Sequence, residues 1–461
     1  MDLLIRGARL LSGEHVDIGV EGGLIVSITP ATAREHDESR PPRPRAAQRG
    51  PAGLREAEGG PAGLREAERG PAGLCEAERG RAGTRAAEPG RAGTRAAEPG
   101  RAGTRPAELG AARLREAKGA APGVEIAADG LVAAPGLVDA HRHVWQAALR
   151  GIGPDMTLPD YLDAVLGRVL PTLKPDDLHR ATLLGAGEAL DAGITTVFDW
   201  SHATVDRECS DAILDAYQTA GIRAVVAYSG GDAAGALRFA GLRGRVTGAL
   251  TTLGPEHGSW AAAVREIGLA LDLGLIVSMH VGAGADSPLW RLREAGLLGP
   301  HVQVVHANQI TAEGAEVLAG EGVHAVVTPV VEATMGHGAS AYGRLMAAGL
   351  RPALGTDVVV NAPADLFEPM RSTLRQHRLG TGEMTPAASF LGAATEDAAR
   401  AIGLAGVTGA LAVGHRADLI LLDGLADLAD PAGALVTTGR PADVRVVIVD
   451  GRVVRQSFSV V

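Results

Sequence analysis

Between residues 133 and 400, short apolar runs of strand length alternate with amphipathic stretches of helical length. The eight strand-like runs lie at 136–141, 194–200, 222–229, 246–253, 275–280, 302–306, 324–329 and 352–357. Strands connected through helices pair in parallel, and eight such strands are the number that closes a (β/α)8 barrel. The pattern therefore predicts an α/β protein with a TIM barrel, and an open doubly wound sheet is the alternative.

The two ends of the chain have a different pattern, in which apolar and polar residues alternate over short segments. Asp-Gly pairs at 129–130 and 450–451 are typical of tight turns between antiparallel strands. We therefore expect a small β-sandwich domain built from both termini. The predicted sandwich comprises residues 1–31, 123–134 and 405–461. The predicted barrel comprises residues 135–404.

A ten-residue unit, first seen as GPAGLREAEG, repeats from residue 50 to about residue 108. This period is shorter than the roughly 20 to 50 residues of solenoid repeats. Each unit carries at most one large aliphatic residue, so the segment buries too little apolar surface to offset the entropy of ordering its backbone. We expect a low-complexity, disordered insertion over 32–122, and a binding tail is the alternative.

The charge balance limits the classes of partner. Lys and Arg number 44 against 54 Asp and Glu, a formal net charge of −10, which disfavours nucleic acid and anionic membranes as partners. Two cysteines, Cys75 and Cys209, cannot form a disulfide framework. With no recognisable signal peptide and no apolar run of about 18 residues, the expected location is the cytoplasm.

Polar side chains end four of the predicted barrel strands. His141 and His143 stand two apart at the first strand end, and His280, His306 and Asp357 end the fifth, sixth and eighth strands. The C-terminal strand ends of a barrel meet at one face, where active sites lie. The imidazoles of His141, His143 and His280 with the Asp357 carboxylate form a set that suits Zn²⁺, with Fe²⁺ as the competitor.

Several segments resemble the metal-dependent amidohydrolase superfamily, in particular its cytosine deaminase-like, s-triazine hydrolase-like and guanine deaminase-like aminohydrolases. The similar segments are APGLVDAHRH, the Gly355–Asp357 triplet, AATEDAARAIGL, GALAVGHRADLILLDG, HRHVWQAALRG, FDWSH, VHANQ and VEATMGHG. The resemblance implies that His141, His143, His280 and Asp357 bind one metal ion, and that His306 lies beside the water and the substrate. It also implies a homo-oligomer.

The resemblance bears on the number of metal ions as well. Two-metal members of the superfamily usually use a carboxylated lysine from the fourth strand. This chain has only two lysines, Lys118 and Lys174, and neither lies on the predicted fourth strand. We therefore expect a single divalent ion.

One part of the family pattern is missing from the fifth strand. Related deaminases commonly carry His-x-x-Glu there, but this chain reads His280-Val281-Gly282-Ala283. The first candidate for the replacement acid is Glu332, whose alternative is a solvated loop carboxylate. The second is His202, which could instead cap the next helix.

Three further residues are candidate substrate contacts. Trp145 and Gln146 directly follow the His-x-His pair, and an indole face can stack on a planar heterocycle while an amide pairs with its edge. Trp145 could instead pack under the first loop. His337 is a candidate wall residue, and together with His202 these residues form the predicted substrate-binding set.

The sequence thus predicts a mononuclear zinc aminohydrolase, or deaminase, acting on C–N bonds of a small nitrogen heterocycle. Asp357 is the predicted general base, and His306 is placed to stabilise the developing tetrahedral centre. Alternatives are a hydrolase of cyclic amides or of ring chlorine or alkylamino substituents. A catalytically silent scaffold is the alternative from another class.

Overall fold

A computed structural model of the protein describes residues 1–31 and 123–457. The predicted insertion at 32–122, with its decapeptide repeat, lies outside the described residues. The limits predicted for the domains stay predictions.

Sixteen strands are present in the described part of the chain. They are β1 (Leu3–Leu10), β2 (His15–Glu21), β3 (Leu24–Pro30), β4 (Val124–Ala127), β5 (Val132–Pro135), β6 (Leu137–Arg142), β7 (Ile194–Asp199), β8 (Arg223–Tyr228), β9 (Val246–Thr251), β10 (Val277–Val281), β11 (Val302–His306), β12 (His324–Val327), β13 (Ala353–Leu354), β14 (Leu419–Leu422), β15 (Val444–Val449) and β16 (Arg452–Gln456).

Strands β6 to β13 form the predicted barrel, in sequence order and with parallel pairing throughout. All eight predicted strands are confirmed. The ring closes at a backbone bridge between Arg142 and Asp357. There the amide of His143 donates to the Asp357 carbonyl at 2.9 Å, and the Asp357 amide donates to the His141 carbonyl at 2.9 Å. The open-sheet alternative is therefore wrong.

The strands bury both faces, which explains their near-continuous apolar sequences. Side chains such as Val138, Phe198 and Val305 belong to a cluster with Val225, distinct from the cluster that contains Leu137. Adjacent residues on a strand point to opposite faces, so strands such as β6, β8 and β11 supply both clusters.

The helices lie mainly between the barrel strands. They are α1 (Leu158–Tyr161), α2 (Pro175–Asp191), α3 (Arg207–Ala220), α4 (Ala233–Ala240), α5 (Gly254–His257), α6 (Trp260–Leu273), α7 (Trp290–Glu294), α8 (Ala312–Gly320), α9 (Pro329–Thr334), α10 (Tyr342–Ala347), α11 (Phe367–Thr381), α12 (Glu396–Ala401) and α13 (Pro431–Thr438). Short 3-10 helices span Val144–Leu149, Leu170–Thr172, Ala387–Phe390, Gly392–Ala394 and Pro441–Asp443, and a π-helix spans Leu162–Val169.

Local sequence signals explain where several helices begin and end. The hydroxyl of Ser259 accepts from the Ala262 amide at the start of α6, and the helix ends at Gly274, whose φ is 64°. Side-chain oxygens at the N-cap satisfy amides that the helix leaves unpaired, and glycine adopts the left-handed conformation at low cost.

The second sheet is built from both chain termini, as predicted. Its strand order is β16-β15-β14-β5-β1-β2-β3, and β4 also pairs with β1, so hydrogen bonds join all eight strands into one sheet. Its buried side chains, among them Ile5, Ile18 and Leu421, form a core of their own. A buried ion pair, Arg223 with Asp418, joins β8 of the barrel to this sheet, with Nε and Oδ2 2.6 Å apart.

Among residues 1–31 and 123–457, no helix combines the length and the apolar character that crossing a membrane requires.

Candidate metal and active site

Three imidazoles meet at the C-terminal face of the barrel. His141 lies in β6, His143 follows that strand, and His280 lies in β10. One ring nitrogen from each lies within 4.8 Å of the others, which is the geometry of a group that can hold one metal ion. The Nε2 atoms of His141 and His280 are 3.2 Å apart. The structure thus brings together residues that are 139 positions apart in the sequence.

Asp357, three residues after the last barrel strand β13, lies beside these histidines. Its Oδ1 lies 3.3 Å from His143 Nε2 and 3.6 Å from His141 Nε2. Burial opposes ionisation of this carboxyl, but hydrogen bonds from the two histidines and the nearby His306 hold its pKa well below the usual range. The residue has a φ of 62°, a left-handed conformation that is unusual for a residue other than glycine and that occurs at functional sites.

The state of the histidine rings also suits metal binding. Nδ1 of His143 lies 2.7 Å from the Trp200 carbonyl oxygen; a proton donated to that oxygen leaves the lone pair on Nε2. Burial lowers the pKa of His141 to about 4 and that of His280 well below its ordinary value. Neutral imidazoles are the form that coordinates metal ions.

A buried aspartate supports the first and last strands. Asp139 accepts hydrogen bonds from the amide of Thr356 at 3.0 Å and from its hydroxyl at 2.5 Å. Burial raises the pKa of Asp139 to about 6. At the same place Gly355 packs against His141, and a Cβ added to it would lie 2.6 Å from the His141 carbonyl oxygen. The glycine of the GTD triplet is therefore required for close backbone packing.

His306 lies between Asp357, on its Nε2 side, and Glu332, on its Nδ1 side. Its Nε2 is 3.9 Å from Asp357 Oδ2, and its Nδ1 is 3.3 Å from Glu332 Oε1. Burial lowers the pKa of His306, but the Glu332 hydrogen bond and the charges of Asp357 and Glu332 outweigh it and raise that pKa above its ordinary value. Thr328 donates its amide hydrogen to Glu332 Oε1 at 2.8 Å.

Glu332 is fully buried within α9. The alternative of a solvated loop carboxylate is therefore wrong. Glu332 is also absent from the walls of the central cavity, so its position supports a role that acts through His306 rather than by contact with substrate.

A cavity of about 700 Å³ opens over the histidines. His143, His280, His306 and Asp357 form its polar part, and the predicted contacts His202 and His337 line it as well. The ring of His202 lies 4.3 Å from that of His143, measured between centroids, and burial lowers its pKa well below the ordinary value. The helix that follows is capped by Asp206, so the helix-capping alternative for His202 is wrong.

Trp145 and Gln146 lie elsewhere. Both are buried in the 3-10 helix after β6 and neither lines the cavity. The Gln146 amide donates to the Tyr161 hydroxyl at 2.6 Å, and Tyr161 does line the cavity. The packing alternative for Trp145 agrees with this placement. Direct substrate contact by either residue stays a prediction.

The residues that sequence reasoning missed come mostly from α1, the π-helix and the segment after β11. Leu158, Tyr161, Leu162, Asn308 and Gln309 all line the cavity. Asn308 and Gln309 belong to VHANQ, one of the segments similar to the family, but the sequence assigns no role to these two residues. No comparable signal marked the leucines, because apolar residues at helical spacing are typical of a core.

Comparisons with known proteins agree with this architecture. A model of the Amidohydrolase family matches residues 132–454. A 5-methylthioadenosine/S-adenosylhomocysteine deaminase of Syntrophobacter fumaroxidans is 28% identical over 363 residues, 71% of this chain and 81% of the relative. A 5'-deoxyadenosine deaminase of Methanosarcina mazei is 27% identical over 369 residues, 73% of this chain and 83% of the relative.

Solved structures with the same fold include an adenosine deaminase from Xanthomonas campestris with bound zinc, with a TM-score of 0.70 and 20% identity over 98% of this chain and 92% of the other. Atrazine chlorohydrolase from Arthrobacter aurescens, complexed with zinc, has a TM-score of 0.70 and 20% identity over 99% of this chain and 97% of the other. At 20% identity, the similarity to these two structures shows that the fold is shared and nothing more.

The chain belongs to the amidohydrolase family, since the family model covers well over half of it. The protein is accordingly an enzyme of the amidohydrolase superfamily, and the relatives named above are deaminases, which act on non-peptide carbon–nitrogen bonds.

Proposed function

We propose that this enzyme uses one divalent metal ion, Zn²⁺ before Fe²⁺, to remove the exocyclic amino group of a small nitrogen heterocycle. The convergence of His141, His143, His280 and Asp357 supports this proposal. Because the deaminase relatives carry adenosine derivatives in their names, an aminopurine nucleoside is the first substrate class to test.

The residues fit one metal ion. Three imidazole nitrogens, from His141, His143 and His280, and the Asp357 carboxylate match the preferred ligands of zinc. The described part of the chain contains Lys174 as its single lysine, and it precedes α2 rather than lying on β9, which favours one ion over a lysine-bridged pair. When bound, such an ion would lower the pKa of a water towards about 7 and so supply a nucleophile at neutral pH.

The residues around this site can position and move the protons of the reaction. Oδ2 of Asp357 lies 3.2 Å from the Thr328 hydroxyl and faces His306, so the ionised carboxylate can accept a proton from water. The water oxygen then bonds to the ring carbon, the C–N bond breaks, and ammonia leaves with the transferred proton. His306, whose ring is oriented by Glu332, can donate a hydrogen bond to the oxygen at the tetrahedral centre.

The second candidate reaction is hydrolysis of a ring chlorine, an alkylamino substituent or a cyclic amide. The observation that favours it is Ala283, which stands where related deaminases carry the carboxylate that protonates the ring. Substrates with a better leaving group need that proton less.

The test is metal analysis followed by an ammonia-release screen. We expect about one equivalent of zinc or iron per chain and release of ammonia from an aminopurine nucleoside. His141→Ala should lose both metal and turnover, while the matched control His179→Ala, a partly exposed histidine paired with Asp215 on the barrel exterior helices, should keep both. Chloride or alkylamine release without ammonia would support the second candidate. Full activity of the metal-free protein would refute the site.

A further inference from the structure

A glutamate outside the cavity contacts the backbone that follows the fifth barrel strand. Glu256 lies in α5, which follows β9, and its carboxylate reaches across to residues 282–284 after β10. We call these three residues the β10 turn. Oε2 of Glu256 accepts from the Gly282 amide at 2.6 Å, and Oε1 accepts from the Ala283 amide at 3.0 Å and from the Ser287 hydroxyl. One carboxylate thus binds two successive backbone amides of the turn.

The β10 turn contains a backbone conformation that needs support. Ala283 has a φ of 55°, which lies in the left-handed region that is unfavourable for a residue with a Cβ. Its side chain is fully buried and does not line the cavity. Successive amides around a left-handed residue can converge on one anionic group, and here that group is the Glu256 carboxylate.

The turn is connected to the candidate site on both sides. His280, a proposed metal ligand, stands two residues before Gly282. Gly282 lines the central cavity, and its carbonyl accepts from the Gln309 amide at 2.9 Å. The Gln309 side chain, which also lines the cavity, packs so closely on the turn that a Cβ added to Gly282 would lie 3.2 Å from its Oε1. A shift of the turn would therefore disturb a proposed ligand and a cavity wall together.

Glu256 does not replace the acid that the fifth strand lacks. Both of its carboxylate oxygens accept from donors of the segment after β10, and its side chain does not line the cavity. A group that delivers a proton to the substrate must lie within hydrogen-bond reach of it. The contacts of Glu256 therefore favour a role that acts through the backbone.

We propose that Glu256 is a positioning residue, which holds the β10 turn in its left-handed conformation and thereby fixes His280 for metal binding. The inference rests on the proposed function, because His280 is a ligand only if the site binds the ion. Groups that orient a metal ligand typically contribute about 10-fold to 100-fold in metal affinity. Glu256→Gln should lie near the lower end, because glutamine keeps one acceptor oxygen but turns an NH2 group towards a backbone donor.

The first test measures metal binding by the full chain. Zinc affinity, from competition with a chelating dye, should fall by about tenfold in Glu256→Gln, and the visible spectrum of the Co²⁺-loaded protein should change because it depends on ligand geometry. The matched control is Asp232→Asn at the start of α4. This carboxylate also accepts from two backbone amides, those of Ala234 and Gly235 at 3.0 and 2.9 Å, but lies outside the cavity lining. The control should keep the wild-type affinity and spectrum.

A second substitution separates positioning of the turn from general support of the fold. Glycine adopts the left-handed conformation without the steric cost of a Cβ. Ala283→Gly added to Glu256→Gln should therefore recover most of the lost zinc affinity and the wild-type Co²⁺ spectrum. Wild-type affinity in Glu256→Gln alone would overturn the inference, and so would a loss that the added glycine does not reduce.

A third measurement does not need the metal. In the metal-free protein, amide hydrogen exchange at Gly282 and Ala283 should be about tenfold faster in Glu256→Gln than in the wild type, because a hydrogen bond to a charged group is lost. Equal exchange in the two proteins would overturn the inference even if ammonia release is found. Faster exchange in the variant, in a protein whose wild type binds no zinc, would support the hold of Glu256 on the turn and count against the proposed function.

Discussion

Replacing Glu332 by glutamine separates two roles for this buried carboxylate. In the structure its Oε1 accepts from the Thr328 amide at 2.8 Å and lies 3.3 Å from His306 Nδ1. A glutamine carbonyl can keep both contacts but carries no charge. The variant should therefore fold normally and lose only the charge-assisted part of the contact with His306.

The magnitude follows from the strength of that contact. A hydrogen bond to a charged partner contributes about 1.5 kcal/mol more than a neutral one, which corresponds to roughly a tenfold loss in kcat. A residue that itself delivers the proton in the transition state would cost about 100-fold to 10,000-fold. Since Glu332 does not line the cavity, we expect the smaller loss.

A pH profile gives a second, independent measurement. Glu332 raises the pKa of His306, so removing its charge should lower that pKa and move to lower pH any limb of the kcat/KM profile that His306 sets. The assay is steady-state ammonia release by Glu332→Gln and wild type between about pH 5 and 9, with thermal unfolding as the control for folding. A loss of about 100-fold or more would show direct proton transfer by Glu332, and a wild-type rate with an unchanged profile would refute any coupling to His306.

Three other perturbations test the metal site and the scaffold. Gly355→Ala should reduce bound metal, measured by elemental analysis, because the added Cβ would lie 2.6 Å from the backbone oxygen of His141, a proposed metal ligand. Gly380→Ala, with open space around its Cβ within helix α11, should keep its metal and gain about 0.5–1 kcal/mol in stability. Asp418→Asn should cost about 3 kcal/mol in urea unfolding, because Arg223 stays buried and keeps only its longer ion pair with Asp450, at 3.4 Å. Asp191→Asn at an exposed ion pair should cost less than about 1 kcal/mol, and similar losses in both variants would contradict the argument from burial. Removal of metal by a chelator should lower the melting temperature, which zinc should restore; an unchanged melting temperature would exclude a tightly held ion.

The barrel and its polar rim were predictable because both depend on local sequence. Alternation of apolar runs with helical stretches indicates parallel strands, and a polar residue at a strand end lies at the active face whatever its sequence distance from the others. His280 and Asp357 needed only this rule.

The surroundings of the site depend on packing, which the sequence does not display. The position of Glu332 in the sequence is the same whether its helix exposes it to solvent or buries it in the core. In the structure Glu332 lies on the buried side of α9, in contact with His306. Trp145 and Gln146 stand next to the proposed metal ligands in sequence, but a 3-10 helix directs both into the interior. The cavity-lining leucines Leu158 and Leu162 escaped prediction because leucines that line a cavity and leucines that fill a core have the same periodicity.

The place where the barrel closes has a further consequence. The first and last strands are joined by backbone hydrogen bonds of His141, His143 and Asp357, the same residues whose side chains gather at the proposed ion. Ion binding and ring closure are therefore thermodynamically linked: whatever loosens one must weaken the other. Amide hydrogen exchange at His143 and Asp357 should accordingly slow on zinc addition more than exchange at the opposite side of the ring, so exchange at the barrel closure would report whether the enzyme holds its metal ion.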